Sequence, residues 1–234
     1  MSLSKATPMN SSLVREALEV VVSATFTAEP LAESLNFWMN ELSLPAKIHF
    51  SPYNQVFQEL LNPTSETALN NQRNGINLLL FRFEDWCNFS DQKSLESGFN
   101  HKDIQRNIYD LIEGLRKSCD RSSATFILCI CPSSEKVSKS SKISSLFQSL
   151  EDEIRSSFSD TSNVSLITST DFCHYPVEKV FDEKRNRLGH IPFTQLFFSA
   201  LGTVISRRIY ALKRSPYKVI VLDCDNTLWR GIVG

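Results

Sequence analysis

The chain lacks an excess of charge of either sign. Its 25 lysines and arginines meet 26 aspartates and glutamates, giving a formal net charge of −1 and a pI near 6.4. A protein-wide basic field that would recruit nucleic acid or an acidic membrane surface is therefore excluded. Local Lys/Arg groups at 184–187, 207–208 and 213–214 are diluted by acidic residues and helical spacing, and read as solvated faces. Long hydrophobic runs are missing too. The apolar stretches at 127–131 and 219–222 fall far short of the ~20 residues that a spanning helix needs. The first ten residues contain no apolar core of the kind a secretory leader requires, which predicts a cytoplasmic protein with no membrane partner. Six cysteines, at 87, 119, 129, 131, 173 and 224, fit no CxxC or zinc-knuckle spacing. Cys129 and Cys131 lie two apart in an expected strand and read as core thiols. No internal repeat is apparent.

What remains is an ordinary globular composition, 41% hydrophobic and 22% charged over 234 residues, enough for one large domain or two small ones. After a polar stretch over 1–16, apolar runs of strand length alternate with segments of helical period. Strands are expected at 18–25, 46–50, 76–83, 125–131 and 164–168, each rich in β-branched or large apolar residues. Helices are expected from Pro30 to about Leu42, and over 53–61, 101–119, 143–158 and 193–213. Residues 133–142 are Ser/Lys-rich and read as a linker. Near-continuous apolar strands alternating with helices predict a mostly parallel sheet covered on both faces, an α/β three-layer sandwich. Such sheets bind ligands at the carboxyl ends of their strands. Charged residues directly after the third strand, Arg82, Glu84 and Asp85 with Trp86, fall at that edge. An arginine there suits a phosphate, or equally a local ion pair that ends the strand.

The most specific pattern is Asp-x-Asp-x-Thr at Asp223, Asp225 and Thr227, preceded by four apolar residues. Two carboxylates two positions apart at a strand's carboxyl end share one face of the backbone, where both can approach Mg²⁺. The spacing resembles the first motif of the haloacid dehalogenase (HAD) phosphotransferase superfamily. The resemblance implies that Asp223 attacks phosphorus, Asp225 serves as general acid/base, Thr227 holds the phosphoryl group, and both aspartates bind Mg²⁺. The rest of such a site would lie downstream. The expected organisation is a flexible 1–16, an N-terminal domain over 17–214, and the start of a HAD-like phosphatase domain over 215–234.

The whole stretch 218–234 resembles the start of the HAD domain in FkbH-like proteins, HAD subfamily IIIC. Further segments agree: Ser23-Ala-Thr-Phe-Thr27 with Pro30-Leu31, Ser51-Pro-Tyr-Asn-Gln-Val-Phe57, Phe83-Glu-Asp-Trp86, and Gly189-His-Ile-Pro-Phe193. The resemblance implies an enzyme of polyketide and mixed peptide–polyketide assembly. It would take phosphoglyceryl from 1,3-bisphosphoglycerate, remove phosphate and load glyceryl onto an acyl carrier protein. Cys224, between the aspartates, is a candidate nucleophile giving a thioester that a pantetheine thiol accepts; strand alternation alone would instead turn it into the core. The N-terminal domain of these relatives looks like an SGNH-hydrolase sheet, flavodoxin-like in outline. That likeness marks Ser23 or Thr25 after the first strand, His190 before the last helix, and Asp182 eight residues earlier. The chain departs from it by having no Gly-Asp-Ser at strand one and Arg187 three residues before His190. A degenerate site that docks the carrier and a working esterase or acyl-transfer site are the two alternatives.

Overall fold

The structure of the protein is a computed structural model that describes residues 17–73, 75–87, 101–122, 124–215, 219, 221–224, 227–228 and 230–231. Strand β1 (Leu18–Ala24) leads into α1 (Leu31–Glu41), β2 (Ala46–Phe50), α2 (Val56–Leu61), α3 (Glu66–Gln72) and β3 (Ile76–Phe81). Then come α4 (His101–Asp120), β4 (Thr125–Ile130), α5 (Glu135–Ser138), α6 (Ser141–Ser157), β5 (Val164–Ile167), α7 (Glu183–Gly189) and α8 (Gln195–Lys213). Short 3₁₀ turns cover Phe83–Trp86 and Ser169–Phe172.

The five strands run in the order β2-β1-β3-β4-β5, and every pairing is parallel. Side chains alternate across the sheet, so successive residues feed two separate cores. One holds Val20, Val22, Leu78, Leu80, Ile127 and Cys129 against α1 and α8. The other packs Leu79, Phe81, Phe126, Leu128 and Ile130 against α2, α4 and α6. The fold is thus the expected α/β three-layer sandwich. Every residue of β3 is buried, as a central parallel strand requires. Helices α1 and α8 approach so closely that a Cβ on Gly202 would sit 2.3 Å from Ser34 Oγ.

Chain order reverses at β1: the connection through α1 goes one way to β2, the next crosses back to β3. The crevice above the carboxyl ends of β1 and β3 is the topological switch point, where open parallel sheets accept ligands.

Several expectations change at element ends. Helix α2 starts at Val56 and not at 53, because Asn54 adopts a left-handed φ of 55° in a turn that brings its N–H to Ala24 O, 3.1 Å away. Helix α8 begins at Gln195, since Phe193 instead bridges to Phe181 and Thr194 caps the helix through its hydroxyl. That bridge, with Asp182 N–H on Pro192 O (2.9 Å) and Thr194 N–H on Val180 O (2.9 Å), closes the base of the excursion carrying α7. Helices α3, α5 and α7 add to the expected set. The strand expected over 219–222 is not formed at Val219, Val221 or Leu222; these side chains are exposed and pair with no described strand. An apolar run becomes a strand only beside a partner edge, and the described sheet ends at β2 and β5. Residues 1–16, and Asp225 of the Asp-x-Asp pair, lie outside the described residues. Among the described residues no helix is long and apolar enough to cross a membrane.

Candidate functional site

Four backbone devices carry the polar residues of the switch point to one place. Beyond β1 the chain passes through Thr25, whose N–H reaches Leu80 O at 3.0 Å. After β2, Ser51 N–H bonds Val22 O at 2.9 Å and the Asn54 turn follows, which fixes Tyr53 at the rim. β3 ends as Arg82 turns into the 3₁₀ segment that holds Glu84 and Asp85. Helix α7 is closed by His190 at φ 50°, a left-handed cap that histidine tolerates better than most residues. Thr27 then pins that cap: its N–H bonds His190 O (3.0 Å) and its hydroxyl donates to Gly189 O (2.7 Å).

Asp85 is the hub. Its carboxylate accepts the Thr25 hydroxyl at 2.5 Å, Arg82 Nε–H at 3.0 Å and a close contact from Arg82 Nη2. It also stands 3.2 Å from His190 Nε2. Arg82 reaches further, donating to Glu84 Oε1 at 2.7 Å, and Glu84 is held in turn by the N–H and hydroxyl of Ser134. The guanidinium lies over the rings of Phe26 and Phe193, 5.8 and 5.9 Å from their centroids. Burial alone would push the Asp85 carboxyl up. The hydrogen bond from His190, the charge and N–H groups of Arg82 and the Thr25 hydroxyl outweigh it and hold the carboxyl below its usual range.

His190 faces Asp85 with Nε2 and Tyr53 with Nδ1, the Tyr53 hydroxyl making a close contact with Nδ1. Arg82 Nη2, which carries two hydrogens and donates to Asp85, also stands 3.0 Å from Nε2. A carboxylate beside Nε2 favours the hydrogen on that nitrogen, leaving Nδ1 to accept from Tyr53. Burial, then the Asp85 charge, pushes the Tyr53 hydroxyl up, with Arg82 opposing.

The sequence-marked residues are distributed unevenly. Thr25 and His190 meet on Asp85. Ser23 is buried, and its hydroxyl pairs with that of Ser51 at 2.9 Å, away from the imidazole. Asp182 caps α7 by accepting Arg185 N–H at 3.0 Å. Asp223 and Cys224 are exposed, and the Cys224 carbonyl accepts from Thr227 and Leu228 N–H (3.4 and 3.0 Å). Cys224 is not in a core. Tyr53 was not among the candidates, because its segment reads as the start of a helix. A signal for it existed all the same: Tyr53, Asp85 and His190 belong to three of the segments that carry the family resemblance, and those segments converge here. Among the described residues no group of three or more His, Cys, Asp or Glu side chains is arranged to hold a metal ion. Asp223 with Asp225 nonetheless fits Mg²⁺ in kind, since that ion is commonly bound by one or two carboxylates plus phosphate oxygens.

No family model and no curated protein matches the sequence. Among solved structures, the chain is similar to the N-terminal part of the protein BF1531 from Bacteroides fragilis, which contains a phosphatase domain complexed with Mg. The TM-score is 0.69 at 16% identity. The two share a fold. The match takes in 92% of this chain but 57% of that one, so the chain spans little more than half of its neighbour's length.

Proposed function

We propose that the chain supplies the N-terminal α/β domain and the first catalytic motif of an Mg²⁺-dependent, FkbH-like HAD enzyme. That enzyme takes phosphoglyceryl from 1,3-bisphosphoglycerate, removes its phosphate and loads glyceryl onto an acyl carrier protein. The observation that carries the reading is the Asp223-x-Asp225-x-Thr227 motif in the sequence after a domain whose fold matches a protein that contains a phosphatase domain. Asp223 attacks phosphorus, Asp225 moves the proton to and from the leaving oxygen, and Thr227 steadies the phosphoryl oxygens. Asp223 and Asp225 would hold Mg²⁺, which would supply neutralisation of charge on the transferring group. Cys224, which is exposed, takes the acyl group as a thioester. Residues 17–214 receive the carrier protein at the carboxyl edge of the sheet. A serine-hydrolase role for Ser23 is disfavoured, since its buried hydroxyl faces Ser51 and no base.

The test joins this chain to a complete downstream phosphatase domain and supplies Mg²⁺, 1,3-bisphosphoglycerate and a holo-carrier protein. Mass spectrometry should find glyceryl on the carrier, and Asp223→Asn should abolish removal of the glyceryl 3-phosphate. Removal of the glyceryl 3-phosphate by residues 1–234 alone, or its persistence in Asp223→Asn, would overturn the reading.

A further inference from the structure

Tyr53, His190 and Asp85 form a line that runs from solvent into the protein. The Tyr53 residue is 53% exposed, while the His190 and Asp85 side chains are 30% and 5% exposed. Each member is fixed by a different element: Tyr53 by the turn after β2, His190 by the left-handed cap of α7, Asp85 by the 3₁₀ turn after β3. The inner carboxylate is anchored by Arg82 and Thr25 and cannot swing away. A hydroxyl on an imidazole, whose other nitrogen meets a buried carboxylate, is the arrangement by which proteins extract a proton from a nucleophile. Here the hydroxyl at the exposed end is a phenol.

We propose that Tyr53, His190 and Asp85 are a proton relay that deprotonates a thiol delivered to the carboxyl edge of the sheet, so that the thiol attacks an activated acyl donor. The assignment deepens the function proposed above, because it rests on a carrier thiol being the acceptor. In the step, the thiol hydrogen passes to the Tyr53 oxygen as the Tyr53 hydrogen passes to His190 Nδ1. Sulfur forms a bond to the acyl carbon. For an acyl phosphate donor the carbon–oxygen bond breaks, and its electron pair leaves on phosphate. His190 then returns the proton through Tyr53 to the departing phosphate. Asp85 does not touch the reactants; it positions the ring and stabilises the imidazolium. Burial and the Asp85 charge keep the phenol protonated, which suits a hydrogen passed through it better than attack by a phenolate.

The test uses the 1–234 chain with acetyl phosphate as donor and N-acetylcysteamine as acceptor, following thioester formation by absorbance. General-base assistance is worth ~10²–10⁴-fold. Tyr53→Phe keeps the ring against His190 and should lower kcat about 100-fold with the thiol KM unchanged. His190→Gln should do the same, while Tyr109→Phe, on the exposed face of α4, should leave the rate unchanged. A structural role would slow every acceptor alike. A relay predicts instead that trifluoroethanethiol, which ionises without help, brings Tyr53→Phe back towards the wild-type rate. Circular dichroism confirms that the variants are folded. A wild-type rate no greater than the uncatalysed one, an unaffected Tyr53→Phe, or equal losses with both thiols would overturn the relay. The assay needs neither Mg²⁺ nor a phosphatase domain, so its failure is separate from a failure of the Asp223→Asn experiment.

Discussion

Replacing Arg82 with methionine keeps the aliphatic stem and deletes only the guanidinium. The side chains involved are almost wholly enclosed, Arg82 at 3%, Glu84 at 9% and Asp85 at 5% exposure. The variant therefore leaves two buried carboxylates without their cation. Removing one partner of a buried pair costs about 3–5 kcal/mol. Two features hold the cost near the lower end: Glu84 keeps its bonds from Ser134, and Asp85 keeps Thr25 and His190. Loss of the cation over Phe26 and Phe193 adds ~0.5–2 kcal/mol. The expected loss is about 4 kcal/mol. Urea unfolding followed by tryptophan fluorescence measures it, since Trp86 lies in the same 3₁₀ turn, stacked on Phe81 with centroids 4.9 Å apart. Because the Asp85 carboxyl is held below its usual range in the folded state, its stabilisation is complete above that range. It is lost as pH falls through the depressed folded-state value. Arg82 causes part of that depression, so the gap between wild type and variant should be widest near neutrality and narrow from about pH 4 downward. A loss under about 1 kcal/mol at neutral pH, or a gap that does not change with acid, would refute the reasoning.

Two further outcomes follow from other parts of the molecule. Gly202→Ala should destabilise by about 1–3 kcal/mol in thermal melts, because the new Cβ would stand 2.3 Å from Ser34 Oγ and 2.6 Å from its Cβ; an unchanged melting temperature would show that α1 and α8 can separate freely. In alkylation mapped by mass spectrometry near neutral pH, exposed Cys173 and Cys224 should label first. Burial, with acidic neighbours assisting, pushes Cys87 up to about 12 and Cys119 to about 11, so both should lag, and buried Cys129 should label only on unfolding.

The sheet was readable because a central parallel strand is apolar on both faces: the run at 76–81 admits no other environment. Helices α1, α4, α6 and α8 were readable for the opposite reason, one buried stripe repeating at helical period. Helix α7 buries no side chain and left no stripe to find. Within the site, Arg82 and Asp85 could be placed at the sheet's edge from their position after a strand. That Asp85 is the partner of His190, 105 residues away, depends on two loops meeting, which no local pattern records. Tyr53 was missed because the Asn54 turn interrupts a segment that otherwise has helical spacing. The Asp182 cap shows the converse: nearness in sequence to His190 suggested a partnership, while the carboxylate was needed by the orphan N–H groups at the start of its own helix.

The excursion between Phe181 and Phe193 leaves the body of the domain and rejoins it at a single closed neck. Once a loop's ends are fastened, its length matters little: each doubling costs only about 0.6 kcal/mol. Helix α7 contributes nothing to either core, so its far end can be lengthened, shortened or recoded while the sheet is untouched. His190 sits at the neck, three residues from Phe193 and tied to Thr27. The arrangement separates inheritance from experiment: a fixed imidazole at the root, and above it an appendage that evolution can redraw.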